Sequence, residues 1–408
     1  MRKPQMLRRV SGAGVSSGRT RLHSLAAASF MHFLNDLHPT MLPTFLPEIT
    51  SRLQLTMAEA GFLNTAFGAL NLLVQPLAGY FADKRDKPVF TLWAPMFTAG
   101  GAYLLCVAPN YWIALLFVSI MAIGTASFHP QSHGIAGLAG GTENLGAYVA
   151  VFSAAGTLGA ALSPLYAVGL LRALGRSFIP SMLVPLFALI LATSRFLPPK
   201  SAAPGSAKGA AQPAPDESFA HSTLRVLHVC LPLVIISIVR DSASQGIRVF
   251  LPMLFTQRGG SLEVGGSILF AFTIAQSAAT LFGGRMADVL GKTRVIVLML
   301  ALSPLFLVPA VFLEGMASVA LFVLGGACIS ATSSVTTAMA QEYLPNSRSA
   351  ASSLVMGVSW GVANMVAAPI GMLADKIGLT AALGVVATSP LLVVAYIAFN
   401  KYARSKSL

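Results

Sequence analysis

Twelve long apolar runs, each near the length a helix needs to cross a bilayer, constrain this 408-residue chain more than anything else in it. A bilayer core takes about 20 apolar residues per helix. The runs fall near 24–49, 58–82, 88–108, 112–137, 143–171 and 177–197, then near 225–256, 262–287, 293–313, 317–341, 347–373 and 379–400. Barrel strands would be shorter and alternate with period two, so the runs read as helices. Charged residues make up 10 % of the chain and apolar ones 55 %, where a soluble domain carries about 25 % charge. That leaves too little polar surface for a soluble protein of this size, and such hydrophobicity excludes disorder. The expectation is an all-α membrane protein with twelve transmembrane helices.

Residues 198–223 interrupt the pattern with Pro, Ala, Gly and Ser, the composition of a flexible linker. They divide a six-helix half at 24–197 from a second at 224–400, with a basic tail at 1–23 and a short tail at 401–408. The first tail has no short apolar core of its own, so it does not read as a signal peptide. Of 27 Lys and Arg, 20 fall on the side of the termini and linker, 5 on the opposite side, and Arg240 and Arg248 inside a span. Positive charge marks the cytoplasmic side of a polytopic protein. Both termini are therefore expected in the cytoplasm, in a bacterial-type inner membrane. The net charge of +13 reads as topology. Without a basic stripe interleaved with aromatics, no nucleic-acid partner is expected. Cys106, Cys230 and Cys328 are isolated in apolar runs and suggest neither disulfide nor metal.

Sliding the chain against itself by 205 residues aligns its two parts. Asp36 falls on Asp241, and Phe45-Leu46-Pro47 on Phe250-Leu251-Pro252. Gly61 falls on Gly266, Gly79 on Gly284, Ala82-Asp83 on Ala287-Asp288, Gly156 on Gly361, and Pro164 on Pro369. Two parallel six-helix repeats follow. The segment Gly79-Tyr80-Phe81-Ala82-Asp83-Lys84-Arg85-Asp86-Lys87 and its copy Gly284-Arg285-Met286-Ala287-Asp288-Val289-Leu290-Gly291-Lys292 carry the spacing G-x-x-x-D-[RK]-x-G-[RK], each with one departure, at Asp86 and Val289. This resembles the loop signature of the major facilitator superfamily, whose halves enclose a substrate site near the midplane. The resemblance implies a conformational loop motif at Gly79, Asp83, Lys84, Gly284, Asp288 and Lys292, with the latching role carried to Asp83 and Asp288 only. Gly371 to Asp375 repeats the G-x-x-x-D spacing on the opposite side of the membrane and reads as coincidence.

Three further strings are similar to fosmidomycin-resistance-type exporters: His32-Phe33-Leu34-Asn35-Asp36-Leu37, Phe128-His129-Pro130, and Arg240 followed by Phe250-Leu251-Pro252. That resemblance implies proton-driven export of small molecules.

Ionisable groups inside spans are costly, about 2.5–3.5 kcal/mol each on insertion scales, and serve transport or pair with one another. His32 and Asp36 lie one helical turn apart with Asn35 between them, a suitable proton carrier. The alternative is a structural Asp36 capping the break made by Pro39, Pro43 and Pro47. In span seven, Arg240 has the planar fork that matches phosphonate or carboxylate oxygens. It could also neutralise Asp36 across the halves. Asp241 and Arg248 share a helical face, and Arg248 could snorkel toward the surface. His129 and His133 sit one turn apart in span four, but no third ligand follows at a suitable spacing, so no metal is expected. Glu143 reads as a helix cap. No nucleophile–base pair, metal set or phosphate loop suggests an enzyme, and no cofactor is expected. The expected function is a monomeric secondary transporter, proton-coupled and exporting small anionic or amphiphilic compounds. Organic-anion uptake and a non-transporting sensor on the same fold are the alternatives.

Overall fold

The computed structural model describes residues 14–83, 85–140, 145–197, 219–344 and 348–406, and every element among them is helical. The first half holds α1 (Gly14–Asp36), α2 (Met41–Leu53), α3 (Met57–Asp83), α4 (Val89–Leu105), α5 (Tyr111–Gly140), α6 (Leu145–Leu174), a 3-10 segment (Arg176–Met182) and α7 (Leu183–Ser194). The second holds α8 (Phe219–Gln257), α9 (Leu262–Leu290), α10 (Lys292–Phe312), α11 (Gly315–Tyr343), α12 (Arg348–Met365), α13 (Ala367–Ile377), α14 (Leu379–Thr388) and α15 (Pro390–Lys406). The offset survives in three dimensions to within one residue, since α3 and α9 begin at 57 and 262, and α5 and α11 at 111 and 315.

Ten helices among the described residues are long and apolar enough to cross a membrane, and Val89–Leu105 is a shorter apolar one. The first span falls outside those ten because it is broken into α1 and α2. Large apolar side chains such as Trp112, Leu281 and Phe399 face outward, as a bilayer allows and water does not. The architecture is twelve spans in two parallel six-helix repeats.

Four spans are not continuous, and proline accounts for most of the breaks. Pro39 lacks the N–H that would reach back to Asn35, and the chain turns through 37–40 before α2 resumes. Pro369 likewise strands the carbonyl of Met365, and the helix breaks at Val366. Pro390 strands that of Val386, which the Ser389 hydroxyl fills at 2.8 Å. Paired arginines echo the repeat a second time. Arg52 donates to the carbonyls of Cys106 and Ala108 at the end of α4, and Arg258 to those of Val311 and Leu313 at the end of α10. A cation suits a helix C-terminus.

The halves meet closely at the end remote from residues 197 and 219, here called the distal end. A Cβ on Gly61 would lie 2.2 Å from the carbonyl oxygen of Ala367, and one on Gly371 would lie 2.1 Å from that of Met57. Side chains at either place would push α3 and α13 apart. The Asp375 carboxylate accepts from the backbone N–H groups of Met57 (2.8 Å) and Ala58 (2.9 Å), capping α3 from the opposite half. Thr65 reaches into the break before Pro369, donating to the stranded Met365 carbonyl at 2.9 Å and accepting from Ala368 N–H at 3.0 Å. The Gly371–Asp375 spacing is therefore no coincidence. It builds the distal closure.

Candidate functional site

His32 and Asp36 sit on the same face of α1 because four residues are just over one turn. His32 Nδ1 lies 2.8 Å from the Phe152 carbonyl, an obligate acceptor, so Nδ1 carries a proton. Its Nε2 lies 3.1 Å from Asp36 Oδ2. Between an imidazole nitrogen and a carboxylate oxygen that contact needs a second proton. His32 and Asp36 thus hold one proton between them, whichever atom carries it.

The surroundings fix this pair. Asn35 donates to Asp36 Oδ1 at 2.9 Å, and Thr98 of α4 donates to Asn35 Oδ1 at 3.0 Å, which sets the amide's orientation. The His32 ring stacks on Phe152 with centroids 4.1 Å apart. Gly156 makes room for it, since a Cβ there would lie 2.3 Å from Nε2. His129 of α5 brings Nε2 to 3.7 Å from Asp36 Oδ1, too long for a hydrogen bond. His32 is buried, while the Asp36 and His129 side chains keep 21 % and 19 % exposure. His133, the sequence neighbour of His129 on its face, packs edge-on to Phe152 instead.

In the second half Arg240 does not make the alternative pair with Asp36 across the halves. Arg240 folds back on its neighbour Asp241, Nε to Oδ1 at 2.8 Å and a terminal nitrogen to Oδ2 at 2.9 Å. Its other terminal nitrogen donates to Thr336 Oγ1 at 2.8 Å, and Ser359 donates to Asp241 Oδ2 at 2.8 Å. Arg240 and Asp241 therefore balance one another within the second half. The Arg240 fork is therefore already filled by protein groups. Arg248 differs. It turns inward and donates to Gln276 Oε1, and Gln276 in turn donates to Ser244 at 2.7 Å. Its Nε is buried without a partner, and no carboxylate pairs with it among the described residues. It does not snorkel.

The loop motif is placed only in part. The Asp83 side chain, Lys84 and Glu143 lie outside what the structure describes. Gly79 faces Pro130 at an ordinary distance, and Gly284 is uncrowded. The close approach belongs to Gly283 instead, where a Cβ would lie 1.8 Å from the Ala331 carbonyl oxygen. Lys292 pairs with Glu342 of α11, and exposed Asp288 lines the same shallow hollow.

Sequence reasoning passed over one buried network. His38 Nδ1 donates to the Leu34 carbonyl at 2.7 Å, leaving Nε2 to accept from Tyr103 at 2.9 Å, with Tyr166 a further 2.6 Å on. A histidine beside the proline break was the available signal. Gln131, next to Pro130, accepts from Thr91 N–H at 3.0 Å near the start of α4.

Two like helical halves, apolar enough to span a bilayer and with ionisable side chains held inside the spans of each, are the arrangement of a membrane transporter. The Major Facilitator Superfamily model matches residues 28–235 and 233–407, and the chain belongs to that family. It is 27 % identical over 386 residues to the fosmidomycin resistance protein of Escherichia coli (strain K12), with 94 % of each chain covered. It is 26 % identical over 385 residues to an uncharacterized MFS-type transporter of Bacillus subtilis (strain 168), with 92 % of each covered. Among solved structures it is similar to a bacterial homologue of the human lysosomal transporter Spinster in an inward-facing, unoccupied conformation (TM-score 0.75, 15 % identity, 92 % of this chain and 96 % of that one). It is also similar to the nucleoside transporter NupG (TM-score 0.72, 14 % identity, 94 % and 99 %). At these identities the structural likeness concerns the fold.

Proposed function

We propose that the protein is a proton-coupled exporter of small anionic compounds, working as a monomer by alternating access in a bacterial inner membrane with both termini in the cytoplasm. The observation that carries the proton part is the His32–Asp36 pair, which holds one exchangeable proton deep in a span with Asp36 partly accessible. With the termini cytoplasmic, the closed distal end faces outward, as it must when an exporter loads its substrate from the cytoplasm. The resemblance to a fosmidomycin resistance protein supports export over uptake.

Arg248 is the better anion receptor of the two span-seven arginines, because Arg240 already gives its Nε and a terminal nitrogen to the Asp241 carboxylate, whereas among the described residues Arg248 has no carboxylate partner and keeps a buried Nε unpaired. A charge-assisted hydrogen bond contributes about 1.5–3 kcal/mol, so Arg248→Ala should raise the apparent KM for an anionic substrate by roughly 10–150-fold with a smaller change in maximal rate. Glutamine at the same place should recover little. Measuring flux against substrate concentration for both variants separates this from a general loss of folding.

The deciding experiment uses inside-out vesicles with an acid interior and a panel of small phosphonates and carboxylates that includes fosmidomycin. Accumulation that collapses with a protonophore is expected. Accumulation only in right-side-out vesicles would establish uptake, and flux of no compound under any gradient would favour the non-transporting sensor.

A further inference from the structure

His32 Nε2, a carboxylate oxygen of Asp36 and His129 Nε2 all lie within 4.8 Å of one another. From the sequence, His129 and His133 lie one turn apart with no third ligand at a suitable spacing, and no metal is expected there. The fold replaces that pair, setting His129 against two residues of another helix. Ligand atoms around a four-coordinate Zn²⁺ sit at about 2.0–2.2 Å from the metal, which puts them roughly 3.3 Å from each other. His32 Nε2 lies 3.1 Å from Asp36 Oδ2 and His129 Nε2 3.7 Å from Asp36 Oδ1, so each imidazole comes near that spacing to one oxygen of the same carboxylate. The longer contact is no hydrogen bond and leaves the His129 nitrogen free to turn its lone pair inward.

The supporting shell is also in place. A ligating imidazole ordinarily gives its other N–H to a carbonyl or carboxylate, which fixes tautomer and ring orientation. His32 does this through Nδ1 to the Phe152 carbonyl, aiming Nε2 at the centre of the group. Asp36 is held in turn by Asn35, and Asn35 by Thr98. Among the described residues the other titratable group near the triad is His133, whose ring centroid lies 6.0 Å from that of His32. We propose that His32, Asp36 and His129 form a binding site for a divalent transition metal of the Zn²⁺, Co²⁺ and Ni²⁺ class.

Two nitrogens and one oxygen suit borderline cations rather than Mg²⁺ or Ca²⁺. The metal takes the place of the proton between His32 and Asp36, which leaves to solvent. Three protein ligands leave a fourth position for water or an anionic oxygen. The site rests on ligand geometry and stands whether or not transport is proton-driven.

The test uses the full chain in detergent, purified on a tag without histidine, stripped with a chelator and titrated with Zn²⁺ or Co²⁺ alone. Expected are one Zn²⁺ per chain, no competition from excess Mg²⁺, and the intense visible absorption of four-coordinate Co²⁺. His129→Gln and Asp36→Asn should each weaken binding at least about tenfold, and His23→Gln should leave it unchanged. Thermal melting of each variant identifies any that fails to fold, and partly exposed His129 is the safer of the two. Substoichiometric Zn²⁺ binding by the unaltered chain overturns the site, as does binding that persists in folded His129→Gln and Asp36→Asn. A six-coordinate Co²⁺ spectrum does so too. None of these measurements involves flux, so a failure of proton coupling leaves them unaffected.

Discussion

Asp36→Asn should reduce pH-gradient-driven transport to the level of protein-free vesicles while substrate exchange without a gradient persists. Asparagine has nearly the same shape and retains an acceptor for Asn35, but it cannot share a proton with His32. The variant is held as though protonated, so inward and outward steps no longer differ in proton content. A ligand drives a two-state equilibrium only through its differential affinity for the two states, and the same holds for a proton. The structural cost is small by comparison, about 1–3 kcal/mol for one altered hydrogen bond. Driven flux and exchange, measured in the same preparation, distinguish loss of coupling from loss of the site. Retention of full driven flux would remove Asp36 from the proton path.

Gly371→Val should trap the distal end open. A Cβ at this position meets the Met57 carbonyl oxygen at 2.1 Å, and the obstacle is backbone, which cannot rotate aside as a side chain can. Overpacking of this kind costs typically about 1–3 kcal/mol, equivalent to a shift of roughly 5–150-fold in the balance between closed and open forms. Because only the closed form has the contact, the penalty falls on one state alone. Labels attached after Gln54→Cys and Ile377→Cys, both exposed at the distal end, should move apart in the valine variant. Transport should fall with the closed population. Asp375→Asn should act in the same direction more weakly, since an amide oxygen can still accept one of the two N–H groups at the start of α3. An unchanged label distance in Gly371→Val would mean the closure tolerates the insertion.

Hydropathy and the 205-residue offset made the fold legible, because bilayer thickness turns apolar length into a count of spans and leaves little to tertiary context. The same physics exposed Asp36, Arg240 and His129, since a charge or imidazole in a span needs a reason. What remained hidden were the partners. Nothing in the order of residues links His32 to the Phe152 carbonyl 120 positions away, or Thr98 to Asn35. Arg240 looked free to reach Asp36 because adjacent helical residues point in different directions, yet its long side chain curls onto Asp241. The motif's spacing marks Gly284, whereas the close helix approach is made by Gly283, one residue earlier. Asp375 stands at the opposite end of the spans from the motif it echoes, so nothing in its spacing points to the start of α3 that it caps.

The proline break in the eleventh span gives water a place in the cycle. While the distal end is closed, the carbonyl that Pro369 strands on Met365 takes its hydrogen from Thr65 of the other half. When the halves part, that donor withdraws and solvent must supply the bond, as it must for the two N–H groups Asp375 had capped. Opening is therefore a hydration event as well as a rigid-body rotation. An excluded osmolyte that lowers water activity biases such a carrier toward its distally closed form.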